Sequence, residues 1–237
     1  MLYYFRVVTV GSYFIFFSFL ALAYCCLRPF HPTNTRIALQ FLRPTYWLMN
    51  LKVIVINKPK ITGPVVITAN HQDLLDTFFF AKIWPDNCAG VGKREIAWVP
   101  VFGAAFWLAG NIFIDRANKD KSRAVVDQMA EKITGLKRSI FIMPEGTRSR
   151  GKGLLPFKKG AFLTAIKAGV PIVPLCVSSS RNINLSDWAP KPGLVEFLDP
   201  ISTEGLKPED AERLALECHE LMKAKIAEMD KRLEAEF

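Results

Sequence analysis

Five short apolar runs, set apart by stretches of helical period, leave this chain few architectures to adopt. The runs 65–69, 111–114, 139–143, 172–177 and 194–198 are often rich in Val and Ile and mostly lack polar alternation. That is the pattern of strands covered on both faces, as in parallel sheets. Between them, apolar residues recur at Val125, Met129 and Ile133, so the spacing predicts a helix over 121–134 that breaks at Gly135. A second helix is expected over 160–168, ended by Gly169 and Pro171. A closing helix from about Pro208 would carry Leu214, Cys218, Leu221, Met222, Ile226, Met229 and Leu233 on one side. Strands alternating with helices predict an α/β fold, a mostly parallel central sheet flanked by helices. At 237 residues, with no internal repeat and no long linker, the chain reads as one such domain plus an N-terminal appendage.

That appendage is the uncharged run 7–27 between Arg6 and Arg28, close to the ~20 residues a helix needs to cross a bilayer core. A cleaved signal would use Ala21-Leu22-Ala23, but the apolar stretch is longer than signal peptides carry. Tyr24 spoils a lipoprotein site at Cys25. A retained anchor fits best, and 35–51 reads as a possible second, interfacial helix. The expected organisation is therefore a membrane-associated segment over 1–50 and the α/β domain over 51–237. Arg28, Arg36, Arg43, Lys52, Lys58 and Lys60 follow the apolar run and only Arg6 precedes it, which puts the body on the cytoplasmic side. Five cysteines, an odd number with no C-x-x-C pair, agree with a reducing compartment.

Charge is uneven along the chain. The net charge is +9, yet the segment 208–237 carries nine acids against five bases, leaving +13 on the body. Such a body suits an anionic partner. Because ligands of open α/β sheets bind beyond the carboxyl ends of strands, the segments after each run matter most. After 65–69 comes Asn70-His71-Gln72-Asp73-Leu74-Leu75-Asp76. On a continuous helix His71 and Asp76 would point about 140° apart. In a turn leading into a helix they can meet, and the acid would orient the imidazole as a general base. A solvated histidine beside helix-start acids explains the same residues. After 111–114 comes Asp115-Arg116, a fork for phosphate or carboxylate or else an internal ion pair. After 139–143 comes Pro144-Glu145-Gly146-Thr147-Arg148-Ser149-Arg150-Gly151-Lys152-Gly153, an anion cradle by composition or a solvated basic loop. Gly146-x4-Gly151-Lys152 has P-loop spacing, but Gly153 stands where a metal-binding hydroxyl is needed and Pro156 interrupts the helix that should follow. There is no G-x-S-x-G elbow, and His31, His71 and His219 lack metal-ligand spacing. The aromatics fall in apolar runs rather than among the bases, against nucleic acid as a partner.

Asn70-His71-Gln72-x-x-x-Asp76, Gly110-Asn111-Ile112-Phe113-Ile114-Asp115-Arg116, Pro144-Glu145-Gly146-Thr147-Arg148-Ser149 and Val170-Pro171-Ile172-Val173-Pro174 occur in this order. The set closely resembles the four motif blocks of glycerolipid acyltransferases, bacterial lysophosphatidic acid acyltransferases above all. The resemblance implies transfer of an acyl group from acyl-CoA or acyl-carrier protein to the free hydroxyl of lysophosphatidic acid. The product would be phosphatidic acid, made by direct attack with no acyl-enzyme, no metal and no cofactor. His71 matches the family's base and Asp76 its orienting acid. Glu145, Gly146, Thr147 and Arg148 match the block that binds the glycerol phosphate. Lys93 and Arg116 resemble further basic positions near the acceptor phosphate. The 170–174 block matches one linked to the acyl or acceptor pocket, with packing expected there more than chemistry. The partners implied are membrane lipids and the two substrates, at the bacterial inner membrane. Glycerol-3-phosphate or another lysophospholipid is the alternative acceptor, and a noncatalytic lipid-binding protein is the alternative of another class.

Overall fold

The computed structural model describes residues 1–57, 61–115, 119–190 and 192–236, the side chains of 119–122 and 182 excepted. Three helices open the chain: α1 (Leu2–Leu27), α2 (Asn34–Gln40) and α3 (Arg43–Met49). Then come β1 (Val53–Ile56), β2 (Val66–Ala69), α4 (Asp76–Ile83) and β3 (Cys88–Lys93). A 3-10 turn, Arg94–Trp98, leads into α5 (Phe102–Leu108), β4 (Ile112–Ile114), α6 (Lys119–Leu136) and β5 (Ser139–Ile142). The rest is α7 (Gly160–Ala168), β6 (Ile172–Val177), β7 (Gly193–Phe197) and α8 (Ala211–Glu236). Among the described residues seven strands form one sheet in the order β1-β7-β6-β2-β5-β3-β4. Strands β6 and β7 are antiparallel and the other neighbours parallel, so the expected mostly parallel α/β sheet is present.

Side chains along each strand alternate between two apolar cores, as the pleat requires. Ile172 and Cys176 of β6 join Met129, Ile133, Phe162, Leu214 and Met222 under α6, α7 and α8. Val173, Leu175 and Val177 join Phe17, Leu42, Met49 and Phe79 under the N-terminal helices and α4. The first fifty residues thus share a core with the sheet. Helix α1 is long and apolar enough to cross a bilayer, yet a stripe of it is docked on the domain. Arg6 is buried and donates to the carbonyls of Leu185 (2.8 Å) and Asp187 (2.5 Å). Phe14 packs on Phe102 at 5.3 Å, the Tyr13 hydroxyl donates to Phe41 O, and Cys25 is buried. The opposite stripe, with Tyr4, Phe5, Val8, Ile15, Phe16 and Phe19, is exposed.

Three local expectations need correction. Helix α6 runs through Gly135 to Leu136, because the left-handed residue that ends it is Lys137 (φ +50°). The segment 35–51 is two helices rather than one, since Pro44, in the first turn of α3, has no N–H to continue α2. Leu221 is 46% exposed, beside the buried stripe of Leu214, Cys218, Met222, Met229 and Leu233.

The turn into α5, after the 3-10 turn, is tightly built. Val101 has φ +64°, and Phe102 N donates to Pro100 O at 2.6 Å, closing a strained three-residue turn. A Cβ on Gly103 would lie 2.5 Å from Ala97 O and 2.6 Å from Ile96 O, backbone atoms that cannot step aside. Gly103→Ala is expected to cost about 1–3 kcal/mol, seen as a melting point lowered by several degrees in detergent. Gly11→Ala, inside α1 with nothing within 4 Å of its added carbon, should keep or raise the melting point.

Candidate active site

Neighbouring strands β2 and β5 send their chains to opposite faces of the sheet. Strand β2 leads into α4, whose Phe78, Phe79 and Phe80 lie in one core, and β5 leads to α7, whose Ala161 and Phe162 lie in the other. A crevice opens beyond the carboxyl ends of strands that part in this way. Thr68 faces Ile142 in the register, so three further places set His71 beside Glu145 across it.

Residues 71–75 precede α4, and Asp76 is its first residue, so the five-residue spacing spans a turn rather than a helix. His71 Nδ1 lies 2.7 Å from Asp76 Oδ2. The same oxygen accepts the backbone N–H of Gln72 at 2.6 Å and of Asp73 at 3.2 Å. An oxygen collecting three donors belongs to a carboxylate, which only accepts; Nδ1 therefore carries the proton and Nε2 keeps its lone pair. The His71 side chain is 19% exposed and that of Asp76 1%. Among the described residues no hydrogen bond engages Nε2. Burial pushes the Asp76 carboxyl above its ordinary range, and the bonds from His71 and the Gln72 amide pull it back. Its Oδ1 is buried without a partner among the described residues.

The residues flanking His71 are tied to the end of β6. The Asn70 carboxamide donates to Val177 O (2.9 Å) and accepts from Val177 N (2.8 Å), taking the place of a peptide in the ladder. Gln72 donates to Ser178 O (2.8 Å) and accepts from Ser180 N (3.1 Å), while the Ser180 hydroxyl donates to Asp73. Across the crevice, Glu145 is buried: Oε1 accepts His71 N–H (2.6 Å) and Oε2 accepts Leu155 N–H (2.9 Å). Ser149 N donates to His71 O at 2.8 Å and Arg150 N to Gln72 O at 3.1 Å. Burial raises the Glu145 carboxyl, against the pull of those two amides.

A family model described as Acyltransferase matches residues 50–178. The chain belongs to the acyltransferase family. It is 38% identical over 235 residues to the 1-acyl-sn-glycerol-3-phosphate acyltransferase of Escherichia coli, covering 98% of this chain and 96% of that one. The protein of the same description from Haemophilus influenzae is 39% identical over 214 residues, 89% of each chain. The crystal structure of the 1-acyl-sn-glycerophosphate acyltransferase PlsC from Thermotoga maritima shares the fold, with a TM-score of 0.67 at 21% identity over 95% of this chain and 97% of that chain.

In this acyltransferase, His71 hydrogen-bonds directly to both Asp76, through its ring, and Glu145, through its backbone N–H. Gly146 (φ +72°) turns the loop, and Thr147 and Arg148 follow it exposed. Lys93 ends β3, the strand beside β5, with its Nζ 2.7 Å from Glu95. Arg116 lies outside the described residues. The 170–174 block enters β6 at the end opposite Val177, where its side chains are mostly buried, as expected of a packing element. Residues 150–159 form no helix, so the P-loop alternative lacks its second part. Sequence reasoning missed two cations over the loop: a Cβ on Gly146 would lie 2.9 Å from Lys158 Nζ, and one on Gly151 3.0 Å from Arg181 Nε. It also missed the tethers from Asn70 and Gln72, whose partners stand over a hundred residues away.

A carboxyl raised by burial takes up protons more readily folded than unfolded. Its ionised form therefore lowers stability, and that loss appears as pH rises out of the ordinary carboxylate range. Asp76→Asn is expected to keep or raise the melting point at pH 7. The same change should cut acyl transfer about 10³–10⁴-fold, because the imidazole loses the acceptor that fixes its tautomer. Calorimetry and a turnover assay on one preparation check both signs.

Proposed function

We propose that this acyltransferase moves a fatty acyl group from acyl-CoA or acyl-carrier protein to the free hydroxyl of 1-acyl-glycerol-3-phosphate, giving phosphatidic acid. The observation that carries the reading is the His71–Asp76 pair with Nε2 open at the crevice mouth. An alcohol is a weak nucleophile at neutral pH and needs such a base. Nε2 takes the hydroxyl proton as the oxygen attacks the thioester carbonyl, and Asp76 stabilises the imidazolium. The tetrahedral intermediate collapses with loss of the C–S bond, and the imidazolium returns its proton to the departing thiolate. Lys93, Arg116, Gly146, Thr147 and Arg148 are the proposed acceptor site, where cations and close backbone suit a phosphate. The descriptions of the relatives from Escherichia coli and Haemophilus influenzae support this acceptor.

Both substrates are amphiphiles, so the reaction belongs at a membrane face. The basic body and the exposed apolar stripe of α1 support attachment to an anionic bilayer. Arg6, Phe14 and Cys25 dock one stripe of α1 on the domain along its length, which favours a helix lying in the interface over one that crosses it. A helix that does not cross leaves the whole chain on the side where it is made, the cytoplasmic face of the inner membrane.

Purified protein in detergent, given labelled acyl-CoA and a panel of acceptors, should label 1-acyl-glycerol-3-phosphate first. His71→Ala should abolish transfer while leaving the melt unchanged. Preference for glycerol-3-phosphate would move the acceptor assignment, and near wild-type transfer by His71→Ala would remove the base. Tags at residues 1 and 237 should both be cut by protease from the cytoplasmic side of inverted vesicles; protection of the first would mean that α1 spans.

A further inference from the structure

We infer that Glu145 is a positioning residue that clamps the backbone of His71 across the crevice, rather than a ligand of the acceptor's glycerol phosphate. The inference concerns the reaction just proposed and goes beyond it. Glu145 is 4% exposed, and both of its oxygens are engaged by backbone amides, those of His71 and Leu155. The carbonyl of His71 is held from the same strand end, by Ser149 N at 2.8 Å. Both backbone polar groups of His71 are therefore fixed by residues 145–149, while Asp76 fixes the ring. The third point of attachment, Leu155, begins the return towards α7, and Lys158 N completes it by donating to Pro144 O at 2.9 Å. One carboxylate thus joins the end of β2, the end of β5 and the segment leading into α7.

The chemistry of the acceptor argues in the same direction. A phosphate is met by cations and N–H donors, and a buried anion facing it would repel it. The loop supplies its cations elsewhere, on the exposed Arg148 and on Lys158 beside Gly146. An anion is instead the right group for two backbone N–H donors cut off from water, since charge-assisted bonds are short and strong. Holding the base at its working position is worth a large factor, because a displacement near 1 Å costs on the order of 100-fold in rate.

Glu145→Gln replaces one oxygen with an N–H that must face a backbone N–H. In the full-length protein in detergent it should lower kcat about 100-fold and leave the KM for the acceptor within about twofold. Hydrogen exchange read by mass spectrometry on peptides covering 66–76 should accelerate in the same variant. A tenfold rise in KM with kcat retained, or unchanged exchange, would overturn the clamp. Should Glu145→Gln fail to melt cooperatively, Glu145→Asp decides: it keeps both acceptors but is one methylene short, so kcat should fall with KM kept, and a rise in KM alone would sink the inference. If the wild type transfers nothing to 1-acyl-glycerol-3-phosphate, the preceding reading fails, and exchange alone judges the clamp.

Discussion

The site depends on holding one residue, His71, from every side at once. Its ring is bound to Asp76, its N–H to Glu145 and its C=O to Ser149, while Asn70 and Gln72 on either side are tied to the end of β6. A strand-to-helix turn left to itself samples many conformations, and ordering each residue costs on the order of 1–2 kcal/mol. The strand order makes the tethering possible. Placing β2 between β6 and β5 puts both neighbours' carboxyl ends within hydrogen-bond reach of residues 70–72. The fold positions His71 by topology, and the polar side chains of the motif complete the placement.

The N-terminal helices serve the same placement from the other side. They share their core with α4, the helix that Asp76 begins, and the Tyr46 hydroxyl donates to the carbonyl of Phe78 within it. Removing that layer would expose Phe78, Phe79 and Phe80 and free the helix that carries Asp76. At the other end of α1, Arg6 grips the loop that leads from Ser180 to β7, the loop whose start holds Gln72 and Asp73. A segment whose sequence reads as an anchor is thus also a structural wall of the catalytic domain.

Much of this was legible in the sequence, and the exceptions have physical causes. Strands β2, β4, β5, β6 and β7 announced themselves as apolar runs, and α7 was bounded by its left-handed Gly169. Strand β3 was not, because its sequence, Cys-Ala-Gly-Val-Gly-Lys, lacks strand formers. Its glycines answer to neighbours from other elements: a Cβ on Gly90 would press on Trp84 and one on Gly92 on the Phe106 ring. No local pattern reports that. The same holds at the site. The His71–Asp76 spacing suggested a pair without deciding it, since the answer lay in where α4 begins. The partners of Asn70, Gln72 and Glu145 are set by strand order, which spacing does not encode.

In the reaction proposed for this site, the two buried carboxylates favour the state that the base must reach. Asp76 raises the Glu145 carboxyl, burial raises both, and one oxygen of Asp76 is left without a partner. In the resting state, with neutral imidazole, these charges are held ionised only by the donors gathered around them. In the proposed step Nε2 takes a proton, a positive charge then stands beside both, and much of that burial cost is offset by attraction. The gain belongs to the imidazolium state and not to the ground state. An interaction of that kind lowers a barrier rather than tightening substrate binding. An amide in place of Asp76 would carry less burial cost, and would give up this difference between the two protonation states.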